Sequence, residues 1–580
     1  MTAPLLRRRR LLVGLSLSTV LVTGLVTPAW TTVTRGAHRV AQLLTRLSGL
    51  DAEPGLVSGD VVCRVDGRTG VHAISPFIYG VAGADPGALA TLGATVNRWG
   101  GNPSSRYNWA IGHAWNTGAD AQFLNVDYTP HDRSASDVAV EADRAQHVDT
   151  LMTIPALGWV ARSADPADRS VDVPAAGGPA IDSQGRIAGY DPGANRERTS
   201  VQSLPRKPTA FVLDPDPASP VVYQDEWVNH LVSRFGRGDA GGVRLYAVDN
   251  EPMLWSSTHR DVHPAQMGYD DLARTFEEYS SAIKAVDPTA LVAGPESWGY
   301  PDLLYSELDR GDDTFATHAD RRAHGDVPLT PWFLRTMRRH DLATGRRSLD
   351  VLTAHWYPQG PGVAGDRSDP DTDALRLRST RSLWDPSYVD ESWINDTLQL
   401  IPRLRTWVAQ EYRGTRIGIT EYNFGGGRSI SAGLAEAEAL GIFGREDLFL
   451  ATYWTVPKPD SPAWFAFRMY RDADGKGARF ADTSIAADSS SPETVSCFAS
   501  REEGWIDVML VNKDLDRNHV ATLSLAGPRG GGSAQRFQYS GMASRSIVRL
   551  PDVAVGEGGS QLSIDVPTAS VTLLRVPVHE

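Results

Sequence analysis

The sequence predicts an α/β fold: a (β/α)8 TIM-like barrel with a second, smaller all-β sandwich domain. Three observations carry this expectation. Short apolar strands alternate with amphipathic helices for about four hundred residues, the pattern of parallel strands joined by crossover helices. Eight strand candidates can be counted, which is the barrel number. From about Thr494 the helices stop and short alternating strands follow, as in a sandwich.

The barrel strands are expected at 77–80, 95–99, 151–155, 243–248, 290–294, 350–355, 416–420 and 448–454. Between them, Val228, Leu231, Val232 and Phe235 share one helical face closed by Gly236, and Leu272, Phe276, Tyr279 and Ile283 share another, following the helical period. The stretch 160–225 is rich in Asp, Pro, Gly and Ser without periodicity and is expected as a long loop after the third strand, at the rim. VSCFAS, IDVMLVN, ATLSLA, IVRLP, QLSIDV and VTLLRVPV supply the sandwich, and the early run at 61–65 has the same character, so the sandwich is expected to borrow it. The layout is an export signal or N-terminal anchor at 1–35, a linker at 36–58, first sandwich strands at 59–75, the barrel at 76–485 and the sandwich at 486–580.

At 580 residues the chain exceeds what one core organises. A net charge of -13 without a long basic run excludes nucleic acid and anionic membrane, which require clustered Lys and Arg; a neutral polymer remains open, bound by a monomer. Arg7 to Arg10 precede an apolar run at 11–26 that ends near Pro28 and Ala29, an export signal that implies a secreted, extracellular protein. The alternative is an uncleaved membrane anchor. Cys63 and Cys497 are the two cysteines, and either pair in an oxidising compartment or stay as separate buried thiols.

Cleavage of a glycosidic bond with retention needs two carboxyl groups about 5 to 5.5 Å apart, one acting as acid/base and one as nucleophile. In a parallel barrel, side chains converge at the C-terminal strand ends. Glu251 follows RLYAV through Asp249 and Asn250 at the end of the fourth strand, and Glu421 follows RIGIT at the end of the seventh. Either acid alone reads as an exposed strand end or a helix cap; the pair, on those two strands, reads as acid/base and nucleophile. Asn250 offers an amide to a sugar hydroxyl or serves a turn. His355 and Tyr357 end the sixth strand, where they either position Glu421 or tune it, or serve a structural role. Trp99, Trp109, Trp159, Trp298 and Trp454 lie at or beyond strand ends, where indoles suit stacking on sugar faces as well as core packing.

Several blocks resemble glycoside hydrolase family 44: NRWGGNPSSRYNW at 97–109, NEPMLWSSTHRDVHP at 250–264, ITEYNFGGG at 419–427 with ALGIFGRED at 439–447, SPFIYGV at 75–81, RSLWDPSYVDESWI at 381–394 and WFAFRMYRDADGKG at 464–477. The resemblance runs from about 75 to 483. It implies a barrel-plus-sandwich endo-β-1,4-glucanase or xyloglucanase acting with retention, with the acid/base on Glu251 and the nucleophile on Glu421. It also implies that Trp393 and Trp454 line the cleft, and Tyr107 in the first block joins the binding candidates. Thr353 stands where an acid is expected, and Arg428 and Ser429 replace a His-containing loop. The rivals are another β-glycanase, a mannanase or xylanase, and a wall-bound carbohydrate-binding protein without catalysis. No cofactor is required; Asp472 and Asp474 are candidate ligands for a structural Ca²⁺, with a solvated loop as the competing reading.

Overall fold

In a computed structural model, the described residues are 59–129, 133–174, 190–311, 315–527, 529–541, 545–556 and 559–579. The export signal, the alternative anchor and most of the linker lie outside them. Among the described residues no helix is long and apolar enough to cross a membrane.

The eight strands Gly80–Ala82, Val96–Trp99, Asp149–Ile154, Leu245–Val248, Leu291–Ser297, Val351–Trp356, Arg416–Tyr422 and Leu450–Tyr453 pair in parallel in that order, and the last closes on the first. Each overlaps an expected strand. Phe77, Val96, Leu151, Leu245, Ala247 and Leu450 cluster in an apolar core of their own; burying each large side chain contributes roughly 1.5–3 kcal/mol. The next inward residues along these strands are polar, so the closed barrel delivers them to its C-terminal mouth.

Both expected helical faces are present. The helix Gln224–Phe235 ends at Gly236, whose φ of 93° is a glycine conformation, and Tyr269–Val286 buries Leu272, Phe276, Tyr279 and Ile283.

The expected loop at 160–225 is more structured than its composition suggests. Trp159–Ala161, Ser200–Leu204 and Val221–Tyr223 form a three-stranded sheet, and Pro192–Thr199 is a helix. These elements are too short for a periodic signal. They are held by long-range polar contacts such as Arg106 Nη2 to Ser200 Oγ at 2.7 Å and Asn125 Nδ2 to the Thr199 carbonyl at 2.9 Å.

The second domain is all β. Its main strand path runs Val548–Ala554, Ser533–Ser540, Ser570–His579, Trp505–Asn512, Val495–Glu502, Thr483–Ser489, Val61–Asp66, His519–Ala526 and Gln561–Val566. Residues from opposite ends of that path, including Val65, Leu523 and Ile564 on one side and Ala499, Val508 and Val576 on the other, share one apolar core. The path is therefore folded over into two layers. Val61–Asp66 sits inside it, antiparallel to Thr483–Ser489 and parallel to His519–Ala526, and Cys63 is disulfide-bonded to Cys497.

Helices Ile430–Arg445 and Pro462–Arg471 lie between barrel and sandwich. Phe465 stacks on Tyr539 with ring centroids 4.8 Å apart, and a Cβ on Gly441 would meet the Phe498 ring at 2.4 Å.

Candidate active site

The barrel mouth gathers charged side chains from five strands. Arg98, inward on the second strand, is fully buried and donates to Glu421 Oε1 at 2.6 Å, Asn250 Oδ1 at 2.7 Å and Glu296 Oε2 at 3.2 Å. Tyr357 donates its hydroxyl to Glu421 Oε2 at 2.7 Å, so both nucleophile-candidate oxygens accept a hydrogen bond. His355 places Nδ1 2.7 Å from Glu251 Oε1 and Nε2 3.2 Å from Glu296 Oε2. One ligand atom each from Glu251, His355 and Glu421 lie within 4.8 Å of one another.

Local backbone irregularity aims these groups. The pairing register shifts between the sixth and seventh strands at Ala354/His355 and between the seventh and eighth at Ile419/Tyr422. Two consecutive residues, Thr420 and Glu421, consequently both reach inward, to Glu296 and Arg98. Bulges of this kind re-aim side chains beside active sites. Asp249, Glu251 and Glu296 have φ of 61°, 44° and 58°, left-handed values that cost of order 1–3 kcal/mol each and persist where surrounding structure enforces them. The enforcing group on the fourth strand is Asp249. Its buried carboxylate accepts from Ser105 Oγ and the backbone N–H groups of Ala156, Leu157 and Asn250, while burial lifts its pKa to about 6.

The electrostatics follow from burial and neighbours. Burial raises the pKa of Glu251 above the ordinary carboxyl value, although the His355 hydrogen bond and charge oppose it. Glu296 is buried too, yet His355 and Arg98 outweigh burial and hold it down at about 2. Burial would depress His355, but Glu421, Glu251 and Glu296 push it up to about 10. Burial and the neighbouring Glu421 raise Tyr357, so it stays a hydroxyl donor. The Glu251, His355 and Glu421 cluster is also where a cation could be held, but the Arg98 guanidinium already supplies positive charge to Glu421.

The other expected residues divide. Asn250 is in the network and donates to Asn102 Oδ1 at 3.1 Å. Trp454 is half-buried, with the Arg98 guanidinium 5.5 Å from its ring centroid. Gly101 permits this: its φ is 96°, and a Cβ there would meet the indole at 2.4 Å. Trp393 is 60% exposed and donates to Gln359 at 3.3 Å. Trp298 is half-buried beyond the fifth strand, and Trp159 is half-buried with Arg196 over its ring. Trp99 is half-buried against Tyr107, Trp115 and Trp227.

The binding expectation is corrected for Tyr107 and Trp109. Tyr107 is fully buried beneath Trp99 and donates to the Gly112 carbonyl, and Trp109 is 5% exposed with its indole N–H on the Tyr223 carbonyl. Both are core residues, because their motif turns inward after Gly101. Asp472 and Asp474 accept backbone N–H groups of their own loop, Gly477 for the first, Lys476 and Ala478 for the second.

Sequence reading missed Arg98, Glu296 and Asp249. Each is a charged residue at or just past a strand end, and its role depends on partners distant in the chain.

A parallel barrel that brings two glutamates this close at its mouth has the arrangement that glycoside hydrolysis requires. The profile of glycoside hydrolase family 44 matches residues 114–360, and endoglucanase A of Paenibacillus lautus is 31% identical over 515 residues, 84% of this chain and 69% of that protein. The chain belongs to glycoside hydrolase family 44. A beta-mannanase/endoglucanase A of Caldicellulosiruptor saccharolyticus is 29% identical over 493 residues, 79% of this chain and 34% of that protein. A bifunctional glucanase-xylanase from a metagenome library has TM-score 0.79 at 37% identity, covering 90% of this chain and 99% of its own. A family 44 xyloglucanase of Paenibacillus polymyxa, solved with xyloglucan, has TM-score 0.79 at 28% identity, covering 90% and 100%.

Proposed function

We propose that this chain is a secreted, retaining endo-β-1,4-glucanase acting on cellulose- or xyloglucan-type glucans. The observation that carries retention is the separation of the two glutamates, with ligand oxygens within 4.8 Å; inverting pairs need roughly 6.5–9.5 Å to admit a water. The similar endoglucanase and xyloglucanase support the glucan.

In this reading Glu251 gives its proton to the glycosidic oxygen as Glu421 attacks the anomeric carbon, forming a glycosyl-enzyme and releasing the leaving sugar. Glu251 then takes a proton from the water that hydrolyses the intermediate. A raised pKa suits Glu251 to the first step, and Arg98 and Tyr357 direct both oxygens of Glu421.

The test separates the roles. Glu421→Ala should abolish turnover on every substrate. Glu251→Ala should lose about 10² to 10⁴ in rate on polysaccharide, still be glycosylated by an activated aryl glycoside, and be rescued by azide to a β-glycosyl azide. A β-glycosyl azide from the Glu421 variant, with an α-glycosyl azide from the Glu251 variant, would reverse the assignment.

The mannanase/endoglucanase and glucanase-xylanase relatives favour a second reading, a broader β-glycanase. Rates on cellulose derivatives, xyloglucan, mannan and xylan decide between them. Secretion rests on the sequence at 7–29, and activity confined to the cell pellet would refute it.

A further inference from the structure

Glu296 has no part in the reaction just described, yet it is the most completely buried carboxylate at the barrel mouth, with side-chain exposure of 0%. One of its oxygens, Oε2, meets three donors: Arg98 Nη2 at 3.2 Å, His355 Nε2 at 3.2 Å and Thr420 Oγ1 at 2.8 Å. Arg98 and Thr420 can only donate to Oε2, and the adjacent guanidinium helps to keep Glu296 ionised, so the hydrogen between it and His355 belongs to Nε2. The other ring nitrogen, Nδ1, faces Glu251 Oε1 at 2.7 Å and Glu421 Oε2 at 3.6 Å. A neutral imidazole donates from only one nitrogen, whereas an imidazolium donates from both.

We propose that Glu296 is a positioning residue: it fixes His355 as a doubly donating imidazolium whose second N–H engages Oε1 of Glu251, leaving Oε2 of Glu251 to carry the catalytic proton. The inference deepens the reading of Glu251 as acid/base and rests on it. Among the described residues no side chain hydrogen-bonds Glu251 Oε2, and the Glu251 side chain keeps 15% exposure at the cleft.

Charge supports the assignment. The groups facing His355 and Glu251 are Arg98 from the second strand, Glu296 from the fifth, Tyr357 after the sixth, Glu421 from the seventh and Asp302 from the helix Tyr300–Leu304. Burial raises Tyr357 and Asp302, favouring the neutral form of each. With Glu251 holding its proton, two carboxylates, Glu296 and Glu421, balance two cations, Arg98 and His355. Without Glu296 a cation is left in excess in a buried site, and His355 is the one able to shed its charge.

The experiment is NMR of the enzyme with ¹³C-labelled histidine, the His355 signal being identified by its loss in His355→Gln. In the parent it should keep the imidazolium shift from pH 5 to 9. In Glu296→Gln it should move to the neutral shift within that range, and kcat on polysaccharide should fall by about 10²-fold with KM within about twofold, the scale of loss for a misplaced reacting group. Glu296→Asp keeps the charge and should keep the imidazolium even while kcat falls. This variant also carries the test if the Gln variant does not fold. An imidazolium that persists to pH 9 in Glu296→Gln, or one lost in Glu296→Asp, would overturn the proposal. The signal is read without substrate, so failure of the Glu251 and Glu421 roles would appear in the azide experiment and not here.

Discussion

Single side chains set the proton inventory of this site, and their removal has calculable signs. The His355 hydrogen bond and charge both stabilise the ionised form of Glu251, opposing burial. His355→Gln should therefore raise the pKa of Glu251 further and move the alkaline limb of kcat/KM upward. A hydrogen bond to a charged group is worth roughly 1.5–3 kcal/mol, so the expected move is about one pH unit or more; a downward move in the pH–rate profile would refute the coupling. At Gly101, Ala would strain a φ of 96° and drive a methyl into Trp454. Gly101→Ala should cost roughly 1–3 kcal/mol by denaturant unfolding and lower activity through the displaced indole. Glu251 and Glu421 were legible in sequence only as a pair, one ending the fourth strand and one the seventh, where the ends of a parallel barrel converge. Arg98 and Glu296 were not, because what distinguishes a buried strand-end charge from a solvated one is its partner, and their partners lie 198 positions apart from each other in the chain.

Elements were legible where burial imposed a pattern. All eight barrel strands read as apolar runs because a parallel sheet is covered on both faces. The small sheet around Ser200–Leu204 did not, since polar tertiary contacts specify it. The helix Ile430–Arg445 is an intermediate case, because nearly every residue from Ser431 to Gly444 is buried and periodicity fades when both sides face protein. It carries two buried acids. Glu438 is paired with Lys513 at 2.9 Å. Among the described residues Glu436 accepts only the Tyr422 hydroxyl, and burial pushes its pKa up to about 8. A carboxyl raised on folding binds more protons when native, so this group lowers stability as pH rises from its unfolded value of about 4.3 through about 8. Glu436→Gln should thus stabilise the protein by roughly 1–3 kcal/mol at pH 9 and hardly at all at pH 4. Denaturant midpoints at the two pH values check this, and equal gains at both would refute it.

Across the whole molecule, the disulfide Cys63–Cys497 closes 434 residues of chain. Cross-links over long loops chiefly restrict the unfolded state, and losing a native one costs typically 2–5 kcal/mol. Cys63→Ser with Cys497→Ser should lower the unfolding midpoint accordingly while leaving kcat unchanged where both forms are folded. An unchanged midpoint would show that hydrogen bonding alone secures the strand. That a sandwich would borrow an early strand was legible from its alternation; the partners of that strand were not, because pairing across the length of a chain leaves no local trace. Val61–Asp66 lies between Thr483–Ser489 and His519–Ala526, yet it is the first of the three to be translated. Throughout synthesis of the barrel both its edges remain bare, and an unpaired apolar strand is a template for foreign strands. Until residues 483–489 and 519–526 have docked on either side of it, the chain therefore carries an early strand open to misplaced partners.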